Sequence, residues 1–238
     1  LRARGVRMVV RLEPPPRAVE ALAGGAALIV ADRGYLRIQR AWRAAVARSA
    51  ACRVVQVESD VVVPVETASD HEEYAARTIR PKIERQLDGF LVPLKQTDPL
   101  RDSLSLRLPS GGVRDIARLT KRLRVGGSAD AGNTLAPGTA AGLSVLGSFL
   151  ERNAARYADS HSDPGLNASS RLSPYLHFGQ MSPLEVALEV RSSRAVPPDD
   201  RADFLEELIV RRELSMNFCF YNDAYDRYDC VPDWARKT

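Results

Sequence analysis

The sequence predicts an α/β protein in two parts, a parallel-sheet layer followed by a domain made only of helices. The first half of the chain alternates short β-branched runs with helical patterns, which is typical of a parallel sheet with crossover helices. Beyond a small, polar, glycine-rich stretch at residues 124–138 no alternating strand pattern occurs. We therefore assign residues 1–124 to an α/β domain, 125–138 to a linker and 139–238 to a helical domain.

Four β-branched runs predict the strands of the first domain, at residues 6–12, 27–31, Arg53–Val57 and 61–65. Between the second and third runs, apolar residues recur at helical spacing among several arginines, which predicts an amphipathic crossover helix. The apolar residues of that helix are Tyr35, Leu36, Ile38, Trp42 and Val46.

A further helix is predicted after the fourth run. Ser69 followed by Glu72 has the form of a capping box, and the helix that it opens is expected to break or restart at Pro81. Past the linker, helical patterns cover residues 139–157, 182–194 and 201–221.

The amino-acid composition excludes some classes of protein but does not identify a particular one. With 238 residues, 45% of them hydrophobic, and a mean hydropathy of -0.24, the chain is typical of soluble globular proteins. No apolar run of membrane-spanning length and no signal peptide is found, so we expect no membrane. Three well-separated cysteines indicate a reducing compartment and no metal site. The net charge of +4 favours an acidic partner only weakly.

The segment from Ser169 to Pro174, in the second domain, has the residues needed to bind a phosphate. Ser173 before Pro174 has the form of an N-cap, which predicts a helix start with free backbone N–H groups. Hydroxyls of Ser169, Ser170 and Ser173, with the charge of Arg171, equip this segment to bind a pyrophosphate. The alternative is that these serines only cap helices.

The helical pattern at residues 201–221 is apolar on nearly every side, yet charges interrupt it. Glu207 and Arg211, four residues apart, either pair on one face or line a ligand cavity, and the pattern leaves both open. His177 is expected to be a hydrogen-bonded core histidine. No motif of a hydrolase or a nucleotide triphosphatase is present in the sequence.

Four short stretches together resemble the photolyase and cryptochrome superfamily, and specifically the class II cyclobutane pyrimidine dimer photolyases. They are Ser-Arg-Leu-Ser-Pro-Tyr-Leu-His-Phe-Gly-Gln-Met-Ser at 170–182, Glu-Glu-Leu-Ile-Val-Arg-Arg-Glu-Leu at 206–214, Asn-Phe-Cys-Phe-Tyr-Asn at 217–222 and Pro-Asp-Trp-Ala-Arg at 232–236. Residues 32–36, 54–64 and 73–83 resemble the α/β domain of the same family.

The resemblance implies a partial Rossmann-like antenna domain followed by a partial, all-helical FAD-binding domain. In this family, excited reduced flavin passes an electron to a pyrimidine dimer that has been flipped out of UV-damaged DNA, and the cyclobutane ring splits. A second antenna chromophore of the deazaflavin or folate type is implied as an option. We expect a monomer in the cytoplasm, or in the nucleus or an organelle of a eukaryote. Because the chain starts at Leu1, and the family's opening strand and last helices are not found, truncation at both ends is expected.

Carried over by matching position, the flavin-contacting residues are Tyr157, Ser169, Ser170, Arg171, Leu172 and Ser173. Glu207 resembles the catalytic glutamate that hydrogen-bonds the dimer, and Val210 and Arg211 fall on the same cavity-lining helix. His161 stands where many relatives have a DNA-contacting arginine, and a neutral imidazole would hold a phosphate less firmly. Trp42 and Trp234 are expected to serve packing.

Two alternatives to DNA repair follow from the same resemblance. A cryptochrome-type photoreceptor would use the flavin cleft for signalling without repair. A degenerate remnant would bind nothing.

Overall fold

Two short strands and the helix between them form where the sequence predicts a strand–helix–strand unit. The computed structural model describes residues 1–110, 121 and 135–237. After helix α1 (Pro15–Ala23), strand β1 (Leu28–Asp32) is followed by α2 (Arg37–Ser49) and β2 (Arg53–Val57). The strands pair in a small parallel sheet, which confirms the α/β class predicted for this half of the chain.

The predicted strands at 6–12 and 61–65 are wrong, and hydrogen bonding gives the reason. In the first, the N–H groups of Arg7 and Val10 donate to the hydroxyls of Ser103 (2.8 Å) and Ser110 (3.1 Å). In the second, the apolar residues are buried, but the N–H groups of Val62 and Val63 donate to Glu213 and that of Val65 donates to Glu58. Side-chain acceptors therefore replace the neighbouring strand in both segments.

The chain divides into two compact units. The first consists of Leu1–Ala31, Arg40–Gln56 and Leu94–Thr134. Within it, Arg4 bonds Asp98, and the Ser49 hydroxyl donates to Glu20 at 2.6 Å. The linker prediction at 125–138 lies mostly outside the described residues.

The second unit consists of Asp32–Gln39, Val57–Pro93 and Leu135–Thr238, and it is helical. One apolar cluster, which includes Ile79, Ile83, Phe149, Val186 and Ile209, forms its core. Its helices are α3 (Val65–Ala68), α4 (Ala76–Phe90), α5 (Thr139–Arg152), α6 (Tyr157–Ser160), α7 (Ser173–His177), α8 (Pro183–Ser192), α9 (Pro198–Leu205), a π-helix (Glu206–Arg211), α10 (Arg212–Tyr221) and α11 (Asp233–Arg236).

Helix α4 begins later than predicted and passes through its proline. The Ser69 hydroxyl donates to the carboxylate of Glu73 at 2.7 Å, so it does not cap a helix, and the N-cap residue is Ala75. Pro81 lies inside α4 and removes one backbone hydrogen bond. The helix continues because Ile79 and Ile83 on its inner face are fully buried. Tertiary packing thus outweighs the local preference.

The helix predicted at 201–221 is longer than expected and contains a π-helical segment. Residues 198–221 are helical throughout, but Glu206–Arg211 in the middle has the wider π-helical turn. Such segments are rare and frequently lie at functional sites. In the part of the chain that the structure describes, no helix has the length and apolarity needed to span a bilayer.

Candidate functional site

The segment before α7 has an unusual backbone and carries the predicted phosphate-binding residues. Arg171 has a φ of 56°, in the left-handed region that a residue with a Cβ rarely adopts. Its guanidinium donates to Asn167 Oδ1 at 2.9 Å, and the Asn167 carbonyl accepts from Asn153 Nδ2 at 3.1 Å. Leu172, only 1% exposed, anchors the segment in the core. Strained backbone of this kind is concentrated at functional sites.

The side chains of this segment present donors to solvent. Ser169, Arg171 and Ser173 are exposed, and within the described residues the hydroxyls of Ser169 and Ser173 have no hydrogen-bond partner. Ser170 Oγ accepts from the N–H of Leu172 at 3.4 Å. Hydroxyl and guanidinium donors around a left-handed turn suit an anionic oxygen ligand such as a phosphate.

The N-cap prediction for this helix is wrong by one residue. Helix α7 starts at Ser173 itself and Leu172 occupies the N-cap position, while Pro174 lies in the first turn as predicted. Since the Ser173 side chain makes no capping hydrogen bond, its hydroxyl stays available for a ligand.

Tyr157 lies in an aromatic cluster of the same helical unit. Its ring packs edge-on against Phe149 (centroids 5.7 Å apart) and Phe204 (5.2 Å), and it stacks on His161 at 4.7 Å. Burial raises the pKa of the Tyr157 hydroxyl, and the negative charges of Glu207 and Asp203 raise it further. Glu207 thus influences Tyr157 electrostatically, while no hydrogen bond between these two side chains is found in the part of the chain that the structure describes.

His161 already uses both of its ring nitrogens. Nδ1 lies 2.8 Å from the carbonyl oxygen of Tyr157, and Nε2 lies 3.1 Å from the hydroxyl of Ser162. A carbonyl oxygen can only accept, so in the neutral ring Nδ1 carries the proton and Nε2 accepts from Ser162. A neutral His161 in this arrangement has no N–H left for a phosphate.

The π-helical segment holds the predicted catalytic glutamate and its basic neighbour. Arg211 Nε lies 3.3 Å from Glu206 Oε1 and 3.9 Å from Glu207 Oε1. The predicted pair of Glu207 and Arg211 is thus the looser of the two contacts, at ion-pair distance only. The Glu207 side chain is 43% exposed, and no residue in the described ranges forms a hydrogen bond with its carboxylate.

Arg80 of α4, which the sequence did not single out, completes this cluster. Its guanidinium donates to Glu206 through Nε (3.0 Å) and Nη2 (2.6 Å), one bond to each carboxylate oxygen. The arginine holds the pKa of Glu206 below its usual value. The only sequence signal for Arg80 is its place in the family-like stretch at 73–83, because its partner lies 126 residues away.

Several predicted residues lie elsewhere. Val210 is buried in the core cluster, so it does not share the exposed surface of Glu207. His177 is exposed, so the prediction of a core histidine is wrong, since α7 buries Tyr175 and Leu176 instead. The packing prediction is also wrong for Trp234, which is 76% exposed on the short helix α11. In the described ranges no group of three His, Cys, Asp or Glu side chains suits a metal.

The comparisons with known proteins agree on one family. The profile of the DNA photolyase family matches residues 1–100. A deoxyribodipyrimidine photo-lyase of Methanothermobacter thermautotrophicus is 43% identical over 243 residues, which cover all of this chain and 51% of the relative. The chain spans about half the length or less of the curated relatives it matches.

Solved structures of a photolyase and a cryptochrome share the fold. A class III photolyase of Agrobacterium tumefaciens superposes with a TM-score of 0.72 at 21% identity, over 94% of this chain and 47% of that one. A cryptochrome of Synechocystis superposes with a TM-score of 0.75 at 17% identity, over 94% of this chain and 48% of that one. At these identities the likeness concerns the fold alone.

Proposed function

We propose that this chain, which is similar to the DNA photolyase family over residues 1–100 and to a deoxyribodipyrimidine photo-lyase along its whole length, forms about half of a light-driven, FAD-dependent DNA repair lyase that splits cyclobutane pyrimidine dimers. Within the family we assign it to class II, on the sequence stretches described above. The substrate is UV-damaged DNA, bound by a monomer in the cytoplasm, or in the nucleus or an organelle of a eukaryote. A second chromophore of the deazaflavin or folate type stays a prediction.

One observation carries the proposal: the side chain of Glu207 is 43% exposed, and no residue in the described ranges forms a hydrogen bond with its carboxylate. A carboxylate that no neighbour hydrogen-bonds can accept from the N–H groups of a flipped base. The rings of Tyr157, Phe149 and Phe204 are buried, so they support the helices that carry this carboxylate and do not contact a ligand themselves.

The residues before α7 fit the diphosphate of FAD. Ser169, Ser170 and Ser173 supply hydroxyls and Arg171 supplies a cation, while buried Leu172 holds the segment in place. When bound, FAD supplies the light absorption and the electron that repair needs. The protein residues bind and orient the flavin and the dimer, and they exclude water from the site.

On the DNA side, Glu207 hydrogen-bonds the dimer and Arg211 contacts a phosphate. Val210 supports this helix from the core rather than touching the substrate. We expect His161 to contribute least on the DNA side, since a neutral ring that is engaged by Tyr157 and Ser162 has no N–H left to donate to a phosphate.

A repair assay on the full-length protein tests the proposal. Glu207→Gln is expected to lower the light-dependent repair of a thymine-dimer oligonucleotide about tenfold or more while flavin absorbance is unchanged, because a hydrogen-bond acceptor in the reaction is weakened. Glu189→Gln, an exposed glutamate on α8, is the matched control and should repair like the wild type. A wild-type protein that binds flavin but repairs nothing would favour the photoreceptor alternative, and a colourless, folded protein the inactive remnant.

The flavin-binding role of Arg171 is tested by a pair of substitutions. Arg171→Gly removes the guanidinium and suits the φ of 56°, whereas Arg171→Ala removes the guanidinium and keeps a Cβ there. Both should weaken FAD binding about tenfold, the value of a charge-assisted hydrogen bond. The glycine variant should be about 1 kcal/mol more stable than the alanine variant. Full FAD affinity in the glycine variant would contradict a role for the guanidinium.

A further inference from the structure

The π-helical turn changes which glutamate Arg211 contacts. In an α-helix, side chains four residues apart are neighbours, and Glu207 would be the partner of Arg211. The wider π-helical turn favours residues five apart, and here Arg211 hydrogen-bonds Glu206 at 3.3 Å. Glu207 lies farther away, at 3.9 Å, without a hydrogen bond.

Glu206 is held in place from outside its own helix. The guanidinium of Arg80 in α4 donates to both carboxylate oxygens of Glu206, at 2.6 and 3.0 Å, and this bidentate geometry fixes the orientation of the carboxylate. The Glu206 side chain is 22% exposed, against 43% for Glu207, so this pair is partly shielded from water. Glu206 Oε1 accepts from both Arg80 and Arg211, so the three charged side chains form a continuous ion-pair network from α4 to the π-helix.

From this arrangement we propose that Arg80 and Glu206 are positioning residues that keep Arg211 away from Glu207. The inference rests on the proposed function, in which Glu207 must accept hydrogen bonds from the dimer. In the described ranges, Glu207 is the other acidic side chain within 4 Å of Arg211, so it becomes the partner of Arg211 when the anchored Glu206 is removed. A carboxylate paired with Arg211 would have fewer lone pairs to offer the substrate, and Arg211 would be turned away from the phosphate.

The full-length protein with Glu206→Gln tests this role, with Glu189→Gln as the matched control. Glutamine keeps the size of the side chain but removes the charge that attracts Arg211. The repair rate at saturating dimer-containing DNA should fall roughly tenfold, as expected when a reacting group is misdirected. Flavin content and thermal unfolding should match the control. Arg80→Gln removes the guanidinium that holds Glu206 in place, and it should also lower the repair rate.

A double variant separates positioning from a merely structural role. In Glu206→Gln with Arg211→Gln, no cation remains to pair with Glu207, so the saturated repair rate should return to within about twofold of the Arg211→Gln protein. The affinity for DNA should stay as weak as in Arg211→Gln alone. Rescue of the rate without rescue of affinity is the result that supports the inference.

Two results would overturn it. Glu206→Gln could repair as fast as the control, or the double variant could remain as slow as Glu206→Gln alone. Each leaves the wild-type activity in place and so rejects only the positioning role. A wild-type protein without repair activity would instead reject the proposed function itself.

Discussion

Two buried carboxylates in the helical unit, Glu73 and Glu213, have pKa values shifted in opposite directions. Burial pushes the pKa of Glu73 upward, but hydrogen bonds from Lys82, Thr78 and Ser69 outweigh burial and lower it to about 2. For Glu213, burial dominates and raises the pKa to about 8, although the N–H groups of Val62 and Val63 and the charge of Arg212 oppose the shift.

The two carboxylates differ in their partners and in how much protein surrounds them. Both side chains are nearly inaccessible, but Glu73 forms an ion pair with Lys82. Glu213 instead accepts from backbone N–H groups, at 2.5 Å from Val62 and 3.2 Å from Val63. A full positive charge in contact stabilises a carboxylate more than two peptide dipoles do. Glu73 is therefore held in its charged form, whereas Glu213 accepts the backbone hydrogen bonds that a neighbouring strand would otherwise accept.

Removing the cation should have the largest effect on this contrast. Lys82→Met leaves the carboxylate of Glu73 buried without its ion-pair partner, and breaking a buried pair in this way costs about 3–5 kcal/mol. Urea denaturation of the full-length protein measures the loss. Lys95→Met, an exposed lysine, is the control and should change stability by less than about 0.5 kcal/mol. An equal, small effect in both would mean that water reaches Glu73.

Removing the other carboxylate should cost somewhat less. Glu213→Ala leaves the N–H groups of Val62 and Val63 without an acceptor, at about 1–3 kcal/mol each, so we expect a loss of about 2–4 kcal/mol. Glu213→Gln keeps one acceptor oxygen and should lose about half as much. Equal stabilities of the alanine and glutamine variants in urea denaturation would contradict this account.

The shifted pKa of Glu213 should also make the stability depend on pH. Since the pKa of Glu213 is about 8 in the folded protein and 4.5 ordinarily, the folded state binds more protons between these values. The free energy of unfolding should therefore fall as pH rises from about 4.5 to about 8, by at most about 1.4 kcal/mol per pH unit. Glu213→Gln should lack this slope when unfolding is measured across the range.

Glu73 provides the opposite sign as an internal control. Its folded pKa of about 2 lies below the ordinary 4.5, so its stabilising contribution is present above pH 4.5 and is lost as pH falls from there toward 2. Glu73→Gln should weaken the acid-side dependence and leave the slope between 4.5 and 8 unchanged. A variant that altered both ranges would show that the two carboxylates titrate as one system.

Local periodicity predicted the elements whose hydrogen bonds are local. The predicted strand Arg53–Val57 matches the structure to the residue, and the helix after Tyr35 is predictable because apolar spacing is set within a few turns. The strand prediction at 61–65 is wrong because the acceptor Glu213 lies about 150 residues away in sequence. No pattern in the sequence announced the π-helical turn at Glu206–Arg211.

Residue types and their spacing are enough to indicate the likeness to the DNA photolyase family, the α/β-then-helical order and the residues that resemble the flavin and dimer contacts. Only the tertiary structure decided the state of each charged group: Glu207 exposed, Glu206 anchored by Arg80, Glu73 paired and Glu213 buried against backbone. The physical reason is that the energy of a buried charge depends on partners brought from distant parts of the chain. Residue type and spacing name the charges, but folding selects their partners.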